Sequence, residues 1–511
     1  MKLHALIALF AIAGCGGNGT PSGGPDLAVS PDMTAPPSDM ATPANADLTT
    51  LPDLKMVVPG TQLLSGDFTL QNLTTDGWAI LQDNGTGDVT AQPLAGGKST
   101  LIAQNPFSIQ VSGKVVLVWH DGDGATEGTL TVWTAAGGVK DVSQSSPAGI
   151  GGVASDSGLI GYYDNLSDAG DTADLILDKP DHSAPKTLLK GVIQFQQDAD
   201  GGALANDNCT PAVGFAGTRL LVTHCAGAVG DGGVRSATLT SYDAAGTGVD
   251  IATDVQPYVI TDKAGTVVLA IDAAGAGSLL PPAGGKAIAT GLADVSSANF
   301  TADGSALLYT DKSGRVARVS TKDGTIIVLQ AKGADAIDSV SPDGKWLLFH
   351  TQFDNSTFLE DLLLTSATVA GNPTSLSKDP NAATGGMWGD SWTSDSTQSL
   401  YFSVGDPMSG VGALTAQPVA GGAAKKLNAD SLAVYGAGGT KVVYNANFGN
   451  TNMNTAGQAD LFVVDLAKNA APALIATQAE SAFFVTGDQK SVAYTYTLDP
   501  NRNGLYLAPL P

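Results

Sequence analysis

Three histidines stand at equivalent places in the chain: His120, His224 and His350 end the apolar runs VLVWH, LLVTH and WLLFH. Imidazoles ligate metals and move protons near neutral pH. A shared zinc shell would need their nitrogens within about 2.1 Å of one ion. Each run lies in a different segment of the chain, so these read as three structural histidines. Close-spaced oxygen ligands occur twice. The loop DGDGATE carries Asp121, Asp123 and Glu127, and DPNRNG carries Asp499, Asn501 and Asn503. Both have the spacing of calcium loops; the second opens as D-x-N-x-N-G but lacks the distal glutamate. The Asp-rich stretch from Asp164 to Asp174 resembles them. Any inter-strand loop is rich in Asp, Asn and Gly. The expectation is therefore no cofactor and no catalytic residue, with structural calcium as the one ion these loops could take.

Cysteine gives a firmer signal. Lys2 precedes an apolar run from Leu3 to Ile12 that is too short to span a membrane as a mature helix. The run ends Ile12-Ala13-Gly14-Cys15, which resembles a bacterial lipobox, so lipidation is expected at Cys15. Gly16, rather than Asp, follows it, which implies an outer-membrane lipoprotein. Residues 1–14 then form the signal peptide. Residues 15–58 are expected to be a disordered tether of Pro, Asp, Thr and Ala, too poor in large apolar groups to offset its ordering entropy. Cys209, in a polar insertion, and Cys225, ending the run RLLVTHC, remain. In an exported chain they are expected to form a disulfide.

What must position these residues is a repeat. SPDGKWLLFH (Ser341 to His350) pairs a Pro-Asp-Gly turn with an apolar run of strand length. TADGSALLYTD (Thr301 to Asp311) nearly copies it. Weaker copies turn near Gly77, Gly113, Gly158, Gly217, Gly265, Asp395, Gly439 and Gly487. Each unit continues into two further strands, the grammar of propeller blades. The predicted class is all-β: a β-propeller over 59–511, with about ten units counted and 7–10 blades expected. The last unit is one strand short, and TQLLSG (Thr61 to Gly66) matches the fourth-strand pattern of KTLLKG and KAIATG. The N-terminal strand is thus expected to complete the last blade.

Composition agrees. The chain has 63 Gly, and its acids are Asp except Glu127, Glu360 and Glu480, a bias toward turns over helices. A net charge of −24 excludes nucleic acid as partner and leaves an acyl chain as the membrane contact.

SPDGKWLLFHT and TADGSALLYTD resemble the repeats of TolB-type, WD40-like propellers. That resemblance implies a binding module in the cell envelope. Related repeats also occur in prolyl-oligopeptidase-like enzymes, but no G-x-S-x-G elbow with a following helix accompanies them here. The reading is a monomeric, membrane-tethered, noncatalytic scaffold that binds a protein, peptide or glycan. The alternative is a lyase or hydrolase working in the central funnel.

Overall fold

A computed structural model describes residues 60–122, 127–147, 152–167, 172–193, 212–225, 237–351, 361–376, 383–385, 388–404, 411–447, 458–468, 470–480, 482–497 and 499–511. The signal and tether segments, Cys15, Asp123 and Cys209 lie outside them.

The described residues build ten sheets, each with four antiparallel strands. Blades 1 to 9 span residues 68–103, 108–147, 153–193, 213–255, 260–292, 295–330, 334–375, 383–431 and 433–480; blade 10 spans 483–509. All ten turns singled out in the sequence fall between the first and second strands of a blade. Second strands are rich in apolar residues because both faces are covered. Val115–His120 and Ala306–Asp311 are buried almost throughout. First strands such as Ser108–Ser112 are only half-buried, as befits the lining of a central channel.

Ten clusters of buried side chains join the ten blades, one per seam. Ile80 and Ala91 of blade 1 meet Val116, Val118 and Trp133 of blade 2. Trp78 packs edge-on against Trp133 at 5.2 Å. Leu308 and Val316 of blade 6 meet Leu347 and Phe349 of blade 7. The tenth cluster decides the architecture: Leu70, Ala79 and Leu81 of blade 1 meet Ala493 and Leu505 of blade 10. An open array of ten sheets would have nine seams. Ten seams make a closed ring, a ten-bladed β-propeller.

The fourth strand of blade 10 comes from the other end of the described chain. Thr61–Ser65 pairs antiparallel with Gly504–Pro509, with Thr61 opposite Leu507 and Ser65 opposite Gly504. Leu63 and Leu64 pack on the closing cluster. Gly504 is required by close approach, since a Cβ there would lie 2.1 Å from the Leu64 carbonyl oxygen.

The repeated turn has a specific chemistry. In five blades a Ser or Thr hydroxyl donates to the Asp two residues on: Thr74 to Asp76, Thr301 to Asp303, Ser341 to Asp343, Thr393 to Asp395 and Thr486 to Asp488, all at 2.7–2.8 Å. The same hydroxyl oxygen accepts a backbone N–H four or five residues on, as Ser341 does from Trp346 at 2.9 Å. Gly344 sits at φ 67°, and in blade 8 Ser396 takes the same left-handed conformation at φ 63°. Donors from Thr301 and from the Ser305 backbone hold the Asp303 pKa down to about 2. A depressed carboxyl stabilises the fold above its unfolded pKa and stops doing so as pH falls through the folded value. Asp303→Asn should therefore lose less Tm than wild type between about pH 4 and pH 2. Parallel Tm curves for the two proteins over that window would refute this role.

Candidate functional site

Antiparallel blades in a closed ring sort their connections onto two faces. First-to-second turns share one face, where they touch across the seams. The Gly113 carbonyl accepts from Thr75 N at 2.9 Å, and Ser396 Oγ accepts from Asp343 N at 3.0 Å. Second-to-third connections leave by the other face. His120, His224, His350, Cys225, Asp121 and the 499–503 turn all lie there, in four different blades, so none of the predicted chemistry is pooled into one site.

Each histidine is instead bonded within its own blade or loop. His120 Nε2 lies 2.7 Å from Thr131 Oγ1, whose proton goes to Asp141 Oδ1 at 2.6 Å. His224, Thr240 and Asp250 repeat the chain at 3.0 and 2.6 Å. The threonine's single proton is committed to Asp, so each Nε2 must be the donor. These chains stitch second, third and fourth strands together. His350 pairs with Asp338 of the first strand at 3.3 Å.

Of the calcium candidates, Asp121 Oδ2 meets His120 Nδ1 at 2.7 Å, and Glu127 is exposed at the start of its strand. Asp499 Oδ1 accepts from Asn501 N at 3.0 Å, and the Asp499 carbonyl accepts from Arg502 N and Asn503 N. The Asn503 carbonyl takes Gly66 N and Gln62 Nε2, both at 3.0 Å, so this turn clips the N-terminal strand in place. Among the described residues, no three His, Cys, Asp or Glu side chains are placed to hold one ion.

One dyad went unnoticed in the sequence. His182 Nδ1 lies 2.5 Å from Asp178 Oδ2. The buried Asp178 also takes Tyr162 OH at 3.4 Å and the backbone N–H groups of Lys179 and Ala184. It holds the turn between the last two strands of blade 3. A polar depression of about 510 Å³ on the outer edge of blade 1, lined by Thr90, Lys98 and Thr100, is likewise remote from the channel.

Among the described residues, the ring departs from its repeat on the channel wall at blade 8. In blade 8 the first strand, Ala383–Gly385, pairs with the second in the ordinary way. The chain then leaves that position, and Trp388–Gly389 runs parallel to Ala433–Gly436, the first strand of blade 9, as a fifth and innermost strand. It returns at Trp392, which bridges Ser399 and donates Nε1–H to Ser339 Oγ of blade 7 at 2.9 Å. Glycine makes this possible. Gly389 sits at φ 119°, where a Cβ would lie 1.9 Å from the Val434 carbonyl oxygen; one at Gly436 would lie 2.8 Å from Ser394 Oγ. The parallel pairing ends at Asp390, whose backbone N–H donates to Val434 O at 2.8 Å.

Asp390 keeps solvent access, while its Oδ2 accepts the Gly436 N–H at 2.7 Å. The surrounding wall desolvates the carboxyl and raises its pKa, with the Gly436 N–H pulling the other way. Tyr435 stands beside it, its phenol pushed up first by burial and then by the Asp390 charge. The Tyr435 ring packs edge-on against Phe483 at 5.1 Å and tilted against Phe484 at 6.0 Å. Ser394 Oγ accepts from Gln489 Nε2 of blade 10 at 3.4 Å. A carboxylate and a hydroxyl thus meet at the channel mouth on the turn face, with Tyr435 next in the chain to the glycine that binds the carboxylate. The only hint in the sequence was the glycine-rich run GGMWGDSW.

No family model matches the chain, and no curated protein does. Similar solved structures include an eukaryotic initiation factor at 13% identity and TM-score 0.46, over 73% of this chain and 90% of that one. A Porphyromonas gingivalis dipeptidyl peptidase 4 matches at 11% and 0.45, over 86% and 65%. The tricorn protease matches at 10% and 0.31; this chain aligns along 88% of its own length and about half of that protein's, 52%. With these TM-scores below 0.5, the likenesses carry nothing on activity or partner.

Proposed function

We propose that the chain is a noncatalytic binding scaffold of the bacterial cell envelope that captures a protein or peptide partner at the channel mouth framed by blades 8 to 10. The observation that supports this most is the inward strand ending at Asp390. It breaks a tenfold repeat and needs glycine at 389. Departures of this kind, stabilised by their surroundings, mark functional sites more often than structural ones. Asp390, Tyr435 and Ser394 offer charge, aromatic surface and hydrogen bonding, the features of a recognition site. The TolB-type turn motifs fit an envelope binding module. In this reading Cys15 carries the lipid anchor, residues 15–58 hold the ring off the membrane, and Cys209 and Cys225 pair on export.

One experiment tests both halves. A photo-crosslinking residue at position 394, in a chain expressed with its N-terminus intact, should give a discrete adduct in envelope extracts. The same residue at position 323, on the outer rim, should give none. Cys15→Ser should abolish palmitate labelling and move the protein to the soluble fraction. Equal adducts from 394 and 323, or none from 394, would refute capture at the channel; palmitate label on the Cys15→Ser protein would refute the anchor.

A further inference from the structure

The geometry points to a basic side chain, an Arg guanidinium or Lys ammonium of the partner, as the group that Asp390 receives at the channel mouth. This rests on the channel-capture reading and narrows it to one chemistry. Asp390 has no ion-pair partner among the described residues. Asp343 pairs with Lys345 at 3.2 Å, and Arg318 faces Asp303. Oδ2 is held by one backbone N–H, which leaves Oδ1 available to a ligand. A carboxylate drawn partly out of water without a counter-charge is a poor structural element and a ready cation receptor. Tyr435, next in the chain to the glycine that binds Asp390, brings an aromatic ring, to which guanidinium and ammonium groups are attracted. The rim carboxylates Asp395 and Asp488, on the same face, add to the field that draws a cation in.

A metal ion fits less well. The site supplies one carboxylate, and hard cations take six or more oxygens. A neutral glycan would use the hydroxyl and the ring but would leave the charge uncompensated. A basic side chain on an extended peptide compensates the charge and leaves its backbone free to bond the Ser394 hydroxyl.

The test uses the full chain and two probe peptides, Ac-Gly-Gly-Arg-Gly-Gly-NH2 and its citrulline counterpart, which keeps the shape and loses the charge. Isothermal titration at low ionic strength should show the Arg peptide binding and the citrulline peptide about tenfold weaker or not at all. Asp390→Asn keeps the Gly436 hydrogen bond and should erase the difference. Asp323→Asn, on the outer rim, should leave it unchanged and so controls for attraction to the −24 charge. In the unaltered protein, carbodiimide modification of Asp390 should be slowed by the Arg peptide and not by the citrulline one. The inference is overturned if wild type does not prefer Arg, if Asp390→Asn keeps the preference, or if Asp323→Asn loses it equally. Any of these with the position-394 adduct intact would remove the basic ligand and leave channel capture standing.

Discussion

Replacing Gly389 with valine should expel the inward strand from the channel wall and abolish binding at the mouth. At φ 119° a β-branched residue is strained by about 1–3 kcal/mol before any contact is counted. The added Cβ would also lie 1.9 Å from the Val434 carbonyl oxygen, a backbone atom that cannot swing aside. Relief requires giving up the Trp388–Ala433 and Gly389–Val434 pairing, and with it the hydrogen bonds that place Asp390. The loss should be local. The seam between blades 8 and 9 rests on Leu400, Phe402, Val434 and Tyr444, none of which belongs to the inserted strand. The expected outcome is a folded ring with a lowered Tm, no position-394 adduct and no preference for the Arg peptide. Gly371→Val, in open space on blade 7, should change none of these. A Gly389→Val protein with wild-type Tm and binding would show that the inward strand positions nothing.

Removing the N-terminal strand should have the second large effect, on stability. Thr61–Ser65 covers an edge of Gly504–Pro509 that would otherwise present unpaired backbone groups. Each lost ladder bond costs about 1 kcal/mol, and each of the half-buried Leu63 and Leu64 roughly 1 kcal/mol more. Over the four paired positions the sum is on the order of 6 kcal/mol, a large share of the stability of most domains. The damage would not stop at the edge. Gly66 N and Gln62 Nε2 both bind the Asn503 carbonyl, and the Leu70–Leu81–Leu505 cluster lies directly beneath. A chain beginning at Gly66 should melt lower, less cooperatively and with aggregation, while one beginning at Met56 melts like the full chain.

Much of this architecture can be read from residue order. A turn, an apolar run and two weaker strands recur ten times, and the turn chemistry is local, so each blade announces itself. Whether the repeats number seven or ten needed the seams, because blades of very different connection length count equally once their second strands are buried. The histidines were legible as structural, since one imidazole at each strand end has its partners within a few residues or one strand away. Their relay through Thr131 and Thr240 was not, because it depends on diagonal placement across two neighbouring strands. The channel site was invisible for a different reason. Asp390 follows a strand that pairs with another blade, and no periodicity in GGMWGDSW signals a neighbour more than forty residues away. Glycine was the one trace, and glycine is abundant throughout the chain. Departures from a repeat are encoded by long-range contact, so a reading built on the repeat passes over them.

A single channel mouth exists only if the ring is closed, and amide hydrogen exchange across Gly504–Pro509 tests that most directly. In the chain beginning at Met56, the outward-facing amides of this strand should be as protected as those of Val492–Tyr494 beside it. In the chain beginning at Gly66 they should exchange at the rate of an exposed edge, with protection falling at Leu70 and Leu81 across the seam. Equal protection in the two chains, both soluble and melting alike, would mean that Thr61–Ser65 does not pair with Gly504–Pro509, and undiminished exchange at Leu70 and Leu81 in both would mean that blades 1 and 10 do not close one channel.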